Sequence, residues 1–203
     1  MIYTEPVWKS LIVTTINPMF TPQECQAIIK KGLSLPPAEA NIGIEKKENE
    51  KKEEEITQRV DEKIRKSTIS WIPFPEMPEM YQIIEQTIGR ANNNQFNFDG
   101  IVMGEPAQFT EYKEDGGHYN WHMDIETIGV NEPPIRKISM TVPLVPETDF
   151  EGGQMEFNKP GDVLHLKQGQ AVFFASFLQH RVLPVTRGTR YSLVQWFTGP
   201  PFK

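Results

Sequence analysis

Apolar residues recur along this chain in two rhythms, and the change between them falls near residue 94. The first half carries helical spacing. Thr21-Pro22-Gln23-Glu24 reads as a helix start, with Thr21 as N-cap, Pro22 at the first helical position and Glu24 placed to close a capping box. Ile28, Ile29 and Leu33 continue its apolar face, and Gly32 with the Leu-Pro-Pro of 35–37 ends it. Ahead of it, LIVTT at 11–15 predicts a short strand, as does the stretch from Ser67 to Ile72. Pro78 to Ala91 predicts a second helix with Met80, Ile83, Ile84 and Ile88 on one side. Ile56, Val60 and Ile64 stand four apart and predict a packed helix from about residue 56.

After Asn92-Asn93-Asn94 the rhythm shortens. From Phe96 to Phe197 the chain consists mainly of short β-branched and aromatic runs. Turn signals divide them at 114–117, 131–134, 151–153, 159–162, 167–169 and 187–188. Roughly eight strands at that spacing predict a sandwich, barrel or jelly roll. The fold class is mainly β with flanking helices (α+β), and residues 1–203 form a single domain. Residues 1–93 are its helical support, with a charged insert at about 40–55, and 94–203 form the β core.

Charge changes the picture in one place. Residues 45–66 carry eight acidic and eight basic side chains, so the net charge of −6 belongs wholly to the rest of the chain. The insert is expected to be solvated or disordered, and the β core is acidic. That balance excludes a nucleic-acid binder, which needs a basic face, and a basic membrane-surface helix. No apolar run approaches the roughly 18–20 residues of a bilayer span. The N-terminus shows no secretory pattern, and a single cysteine, Cys25, forms no internal disulfide. A cytoplasmic protein with no membrane partner is the expectation.

Four histidines are available: His118, His122, His165 and His180. In HYNWHMDI, strand alternation sends His122 and Asp124 to one face, about 7 Å apart. With one more histidine they form a 2-His-1-carboxylate set, which binds one face of Fe(II) and leaves the other open. His180 supplies that histidine, in the strand-like FFASFLQHRVLPV. Ten residues on, Arg190 and Ser192 share a strand face in RYSLVQWF and could grip a carboxylate. Metal ligands beside a carboxylate clamp suggest a two-ended anionic co-substrate. His165 reads as a structural strand residue and His118 as a loop residue at the entrance. Trp121 and Trp196 read as core, and Gly152-Gly153 as a turn needing positive φ rather than a phosphate cradle.

The order His-x-Asp, distal His, Arg-x-Ser resembles the Fe(II)/2-oxoglutarate-dependent dioxygenase superfamily. QFTEYKEDGGHYNWHMD (108–124), EGGQMEF (151–157) and HRVLPVTRGTRYS (180–192) resemble its prolyl 4-hydroxylase-like branch, including small bacterial and phage hydroxylases of the PKHD type. The resemblance covers roughly 94–198. It implies a double-stranded β-helix (jelly roll, cupin-like) with N-terminal supporting helices. It also implies iron held by His122, Asp124 and His180, the distal 2-oxoglutarate carboxylate held by Arg190 with Ser192, and Tyr112 lining the co-substrate pocket. The family often places a further contact on the strand after the His-x-Asp loop, where Ser139 and Thr141 are the candidates and Pro143 weakens the strand just beyond.

The function so implied is hydroxylation of a protein or peptide side chain, proline above all, using dioxygen and 2-oxoglutarate and releasing succinate and CO2. Ascorbate enters as an accessory reductant. Two alternatives stand: the same chemistry on a free amino acid or other small molecule, and a non-catalytic metal-binding jelly-roll module. Segments 34–55 and 126–136 are the candidate lids. Oligomeric state is not legible in the sequence.

Overall fold

Thr21 opens the first helix as its side chains require: its hydroxyl accepts from the Glu24 backbone N–H, and the Glu24 carboxylate accepts from the Thr21 N–H at 2.7 Å. In this computed structural model, which describes residues 11–39, 44–45, 57–58, 62–125 and 135–202, the elements run in the following order. β1 (Ile12–Thr14) precedes α1 (Pro22–Ser34), and β2 (Ala38–Glu39), β3 (Ile44–Glu45), β4 (Thr57–Gln58), β5 (Arg65–Lys66) and β6 (Thr68–Ile72) follow. Then come α2 (Pro78–Ala91), which runs into a π turn at Asn92–Phe96, and the strands β7 (Ala107–Lys113), β8 (His118–His122) and β9 (Ile135–Pro143). The rest is β10 (Phe150–Gly152), β11 (Met155–Phe157), β12 (Val163–Leu164), β13 (Val172–Ala175), β14 (His180–Val182) and β15 (Val185–Gly199).

Two antiparallel sheets face each other as a double-stranded β-helix. The larger has the order β1-β13-β9-β15-β7-β6-β2, with β10 joined to the start of β15; the smaller has the order β12-β11-β14-β8-β5. Alternation along β9 divides the larger sheet into two faces. Ile138, Met140 and Val142 point outward and form one core with Phe109, Leu193 and Phe197, Cys25 and Ile28 of α1, and Met80, Ile84 and Ile88 of α2. The inner face contributes Tyr112, Val172, Phe174 and Val185 to a second core, closed by Met155, Phe157 and Val182 from the smaller sheet. The helices therefore brace one sheet from behind, and the barrel interior lies in front of it.

Gly32 shows how close that bracing is. A Cβ there would fall 2.2 Å from the Phe109 ring, and the Gly32 carbonyl accepts the Ser70 hydroxyl at 2.8 Å. The lone cysteine is spent in the same layer: Cys25 is fully buried, and burial, reinforced by Glu24, pushes its thiol up to about 11.

Three expectations change. The helix expected from about 56 is not formed within the described residues: β4 occupies 57–58, a turn occupies 62–64, and Arg65 and Lys66 pair with Tyr119 and His118. Strand pairing satisfies the backbone of Arg65 and Lys66, and a lone row of three apolar residues is too little to hold a helix against it. Arg187-Gly188 does not separate two strands, because β15 runs through it from Val185 to Gly199. Pro143 closes β9 without disturbing it, opposite Ser192. The charged insert at 40–55, apart from β3, and the second candidate lid, apart from Ile135 and Arg136, lie outside the described residues. No described helix is long and apolar enough to cross a membrane.

Candidate metal centre and co-substrate pocket

The smaller sheet brings the first histidine pair together directly. His180 on β14 stands opposite His122 on β8, and their rings lie 4.1 Å apart. Beyond the end of β8 the chain bends. The Asp124 backbone N–H donates to Ser176 at 2.9 Å, which swings the carboxylate between the two imidazoles. Its oxygens stand 3.6 Å from His122 Nε2 and 3.6 Å from His180 Nε2, and the three ligand atoms all lie within 4.8 Å of one another. Among the described residues this is the one group of three or more such side chains drawn close enough to share an ion.

The histidines are oriented from behind. His122 Nδ1 donates to the Asn120 carbonyl at 2.7 Å and His180 Nδ1 to the Leu178 carbonyl at 3.0 Å. That tautomer leaves both Nε2 lone pairs facing Asp124. Burial, helped by His180, pushes His122 down to about 3, so the imidazole is neutral and free to coordinate. Burial pushes the Asp124 carboxyl up, but His180 and His122, the Ser139 hydroxyl and the Trp196 indole outweigh it and hold it below its ordinary value. The Trp196 N–H aims at that carboxylate without completing a hydrogen bond and has no other hydrogen-bond acceptor among the described residues. A neutral histidine pair with an ionised carboxylate is the donor set for a hard-to-borderline divalent cation with open positions, and Fe(II) fits it.

A slip in strand register enriches the site further. Between Val182–Tyr119 and His180–His122 the pairing shifts by one residue, so two residues of β8, Asn120 and Trp121, face one of β14, Arg181. The bulge turns Tyr119 and His122 to the same interior side, where their rings stack at 3.5 Å. Burial above all pushes the Tyr119 hydroxyl up to about 12, so it stays protonated. Above Tyr119 lies the Arg65 guanidinium, 4.6 Å from the ring centroid. Neither Tyr119 nor Arg65 was picked out in the sequence, since strict alternation puts Tyr119 on the face opposite His122.

Arg190, Ser192 and Tyr112 meet deeper in the barrel. Arg190 is 4 % exposed, donates from Nη1 to the Ser192 hydroxyl at 3.2 Å, and lies 5.3 Å over the Tyr112 ring. Tyr112 is its direct cross-strand partner. Burial lowers the Arg190 pKa, and among the described residues no carboxylate pairs with it. Gly153 makes room for its stem: the residue sits at φ +68, and a Cβ there would fall 2.8 Å from Arg190 Cδ. A buried guanidinium with one neutral hydrogen bond is a receptor waiting for a carboxylate. Ser139 and Thr141 share the interior face of β9. Ser139 is committed to Ser176 at 2.9 Å and to Asp124, whereas Thr141 stands opposite Val172 and Val194.

The other candidates fall elsewhere. His165 is exposed, 3.8 Å from Glu147, and His118 is tied to the Gly116 carbonyl at 2.8 Å. Trp121 lies under Arg181, whose guanidinium is 4.8 Å from its ring, while Trp196 is buried beside Asp124 with Arg136 over it at 4.0 Å.

Comparison with known proteins agrees with this geometry. The profile of the 2OG-Fe(II) oxygenase superfamily matches residues 107–198. A PKHD-type hydroxylase of Colwellia psychrerythraea is 39% identical over 84 residues, 40% of this chain and 37% of that protein. One from Alteromonas mediterranea is 29% identical over 122 residues, 57% of this chain and 54% of that protein. The matched segments thus span about half the length of these curated relatives or less. Among solved structures, the viral collagen prolyl hydroxylase of Paramecium Bursaria Chlorella virus-1, in its 2OG complex, superposes with a TM-score of 0.69 at 21% identity, covering 94% of this chain and 97% of that one. A Trichoplax adhaerens prolyl hydroxylase, in complex with a hypoxia inducible factor peptide fragment, gives 0.65 at 16% identity, covering 93% and 83%.

Proposed function

We propose, from the match of residues 107–198 to the 2OG-Fe(II) oxygenase superfamily and from the geometry of the site, that this protein hydroxylates a prolyl side chain in a protein or peptide, consuming dioxygen and 2-oxoglutarate and releasing succinate and CO2. The observation that carries the reading is that one barrel interior holds both the His122–Asp124–His180 cluster and the acid-free Arg190. The prolyl assignment draws on the names of the relatives above. The reading treats the chain as one unit, with the helices of the first half supporting the β core.

His122 and His180 would each offer an Nε2 lone pair to the ion, and Asp124 an anionic oxygen. Fe(II) bound there would supply dioxygen activation and the coupling of 2-oxoglutarate decarboxylation to C–H hydroxylation. Arg190 would take the far carboxylate of 2-oxoglutarate through its guanidinium, with the Ser192 hydroxyl beside it and Tyr112 as the wall. Met155, Phe157, Phe174 and Val182 keep that wall dry, which strengthens each of these contacts.

The test is substrate-stimulated succinate release with Fe(II) and 2-oxoglutarate across prolyl peptides and free amino acids, with mass spectrometry for gain of one oxygen atom. Peptide hydroxylation supports the reading. Stimulation by a free amino acid alone would move the substrate to small molecules. An absence of succinate under every condition would refute the enzyme.

A further inference from the structure

The barrel contains a second buried arginine without an acid, and the reading above leaves it unused. Arg65 sits where the chain crosses from the smaller sheet to the larger, opposite Tyr119 on β8. It is 7 % exposed. Nε donates to the Ser67 hydroxyl at 2.9 Å and Nη2 to Gln108 Oε1 at 2.8 Å, both neutral acceptors. Asp115 is engaged with Lys66 at 3.0 Å, and Asp124 lies between the two histidines. Among the described residues no carboxylate pairs with Arg65, and its Nη1 has no protein acceptor.

Such a group is costly to keep. Withdrawing an unpaired ion from water is strongly unfavourable. The Tyr119 contact offsets only part of that, and two hydrogen bonds to neutral groups leave the charge uncompensated. The cost is met if a ligand brings the anion. The place is set by the stack Arg65–Tyr119–His122, which holds the guanidinium one aromatic ring away from the metal cluster. The far carboxylate of 2-oxoglutarate already has Arg190, so the anion at Arg65 belongs to the other reactant.

We propose that Arg65 is a specificity-determining residue that binds a carboxylate carried by the substrate next to the carbon to be oxidised. The chemistry admits two sources, an acidic side chain adjacent to the target residue or the α-carboxylate of a terminal or free target residue. The proposal rests on the hydroxylase reading and adds to it that the substrate is acidic at this position.

The experiment uses the full chain with Fe(II) and 2-oxoglutarate under argon, and reads peptide affinity by calorimetry. Two matched pairs serve as probes: a peptide with Asp beside an internal proline against its Asn twin, and a peptide ending in proline as free acid against its amide. In the wild type, one acid is expected to bind about 10–100-fold more tightly than its neutral twin, the range of a hydrogen bond to a charged group. The pair that shows the gap identifies the source. Arg65→Ala should shrink the gap below twofold. Arg65→Gln, which keeps a polar side chain without the charge, should do the same and decides the matter if the alanine variant does not fold. Equal affinities within both pairs in the wild type, or a gap that survives in a folded variant, would overturn the proposal. The same peptides assayed in air for succinate separate the two claims. Acid preference without any succinate leaves Arg65 as a binding residue and removes the enzyme, whereas succinate without acid preference does the reverse.

Discussion

Asp124 is the only anion in the cluster, and both imidazoles face it, so its loss should weigh most on the ion. Asp124→Ala is expected to lower Fe(II) affinity by at least about 100-fold, beyond the 10–100-fold typical of residues that merely orient ligands, as read by anaerobic titration. Arg190→Ala should raise the dissociation constant for 2-oxoglutarate by about 10–100-fold, because one or two charge-assisted bonds are lost. Fe(II) affinity should change by less than about threefold; an equal loss of both would make Arg190 a structural residue. That these side chains come together was legible in the sequence from their spacing: His122 and Asp124 two apart, Arg190 and Ser192 two apart on a strand. Tyr119 and Arg65 were not. A bulge turns Tyr119 inward, and Arg65 reaches the site only through a crossing between sheets, neither of which leaves a periodic trace.

Across elements, the smaller sheet carries a fastening on its outer face. Glu156 of β11 accepts from Arg181 of β14 at 2.6 Å and from the Gly161 backbone N–H at 2.8 Å, while Arg181 covers Trp121 of β8. Three strands, two of them bearing the histidines, are thus tied from behind. The Gly161 N–H first, and Arg181 with it, hold the Glu156 carboxyl below its ordinary value. A depressed carboxyl contributes stability above its unfolded-state pKa and loses it as pH falls through the folded value. Glu156→Gln should therefore cost about 1–2 kcal/mol near neutrality and flatten the acid limb of the denaturation profile below about pH 4. A variant as acid-sensitive as the wild type would show that the pair does not couple to folding. At this scale α1 and α2 were readable because caps and apolar stripes are local. The end of the expected third helix misled, because Arg65 and Lys66 pair with β8, more than fifty residues away.

For the molecule as a whole, the larger sheet works on both faces, with helices behind it and the barrel interior in front. Composition and turn spacing announced a β core with helical support; strand order was not announced, since β13, β9 and β15 meet only after long excursions. The direct opposition of His122 and His180 then has a thermodynamic reading. An ion gripped by residues on β8 and β14 binds only the folded barrel, so occupancy and folding share one equilibrium. At a free concentration a hundred times its dissociation constant, such an ion adds about 2.7 kcal/mol to the unfolding free energy. The melting temperature should climb with the logarithm of Fe(II) concentration and fall back on chelation, and in Asp124→Ala it should stay level. The protein's heat resistance would thereby become a gauge of the iron supply around it, independent of whether any substrate is being turned over.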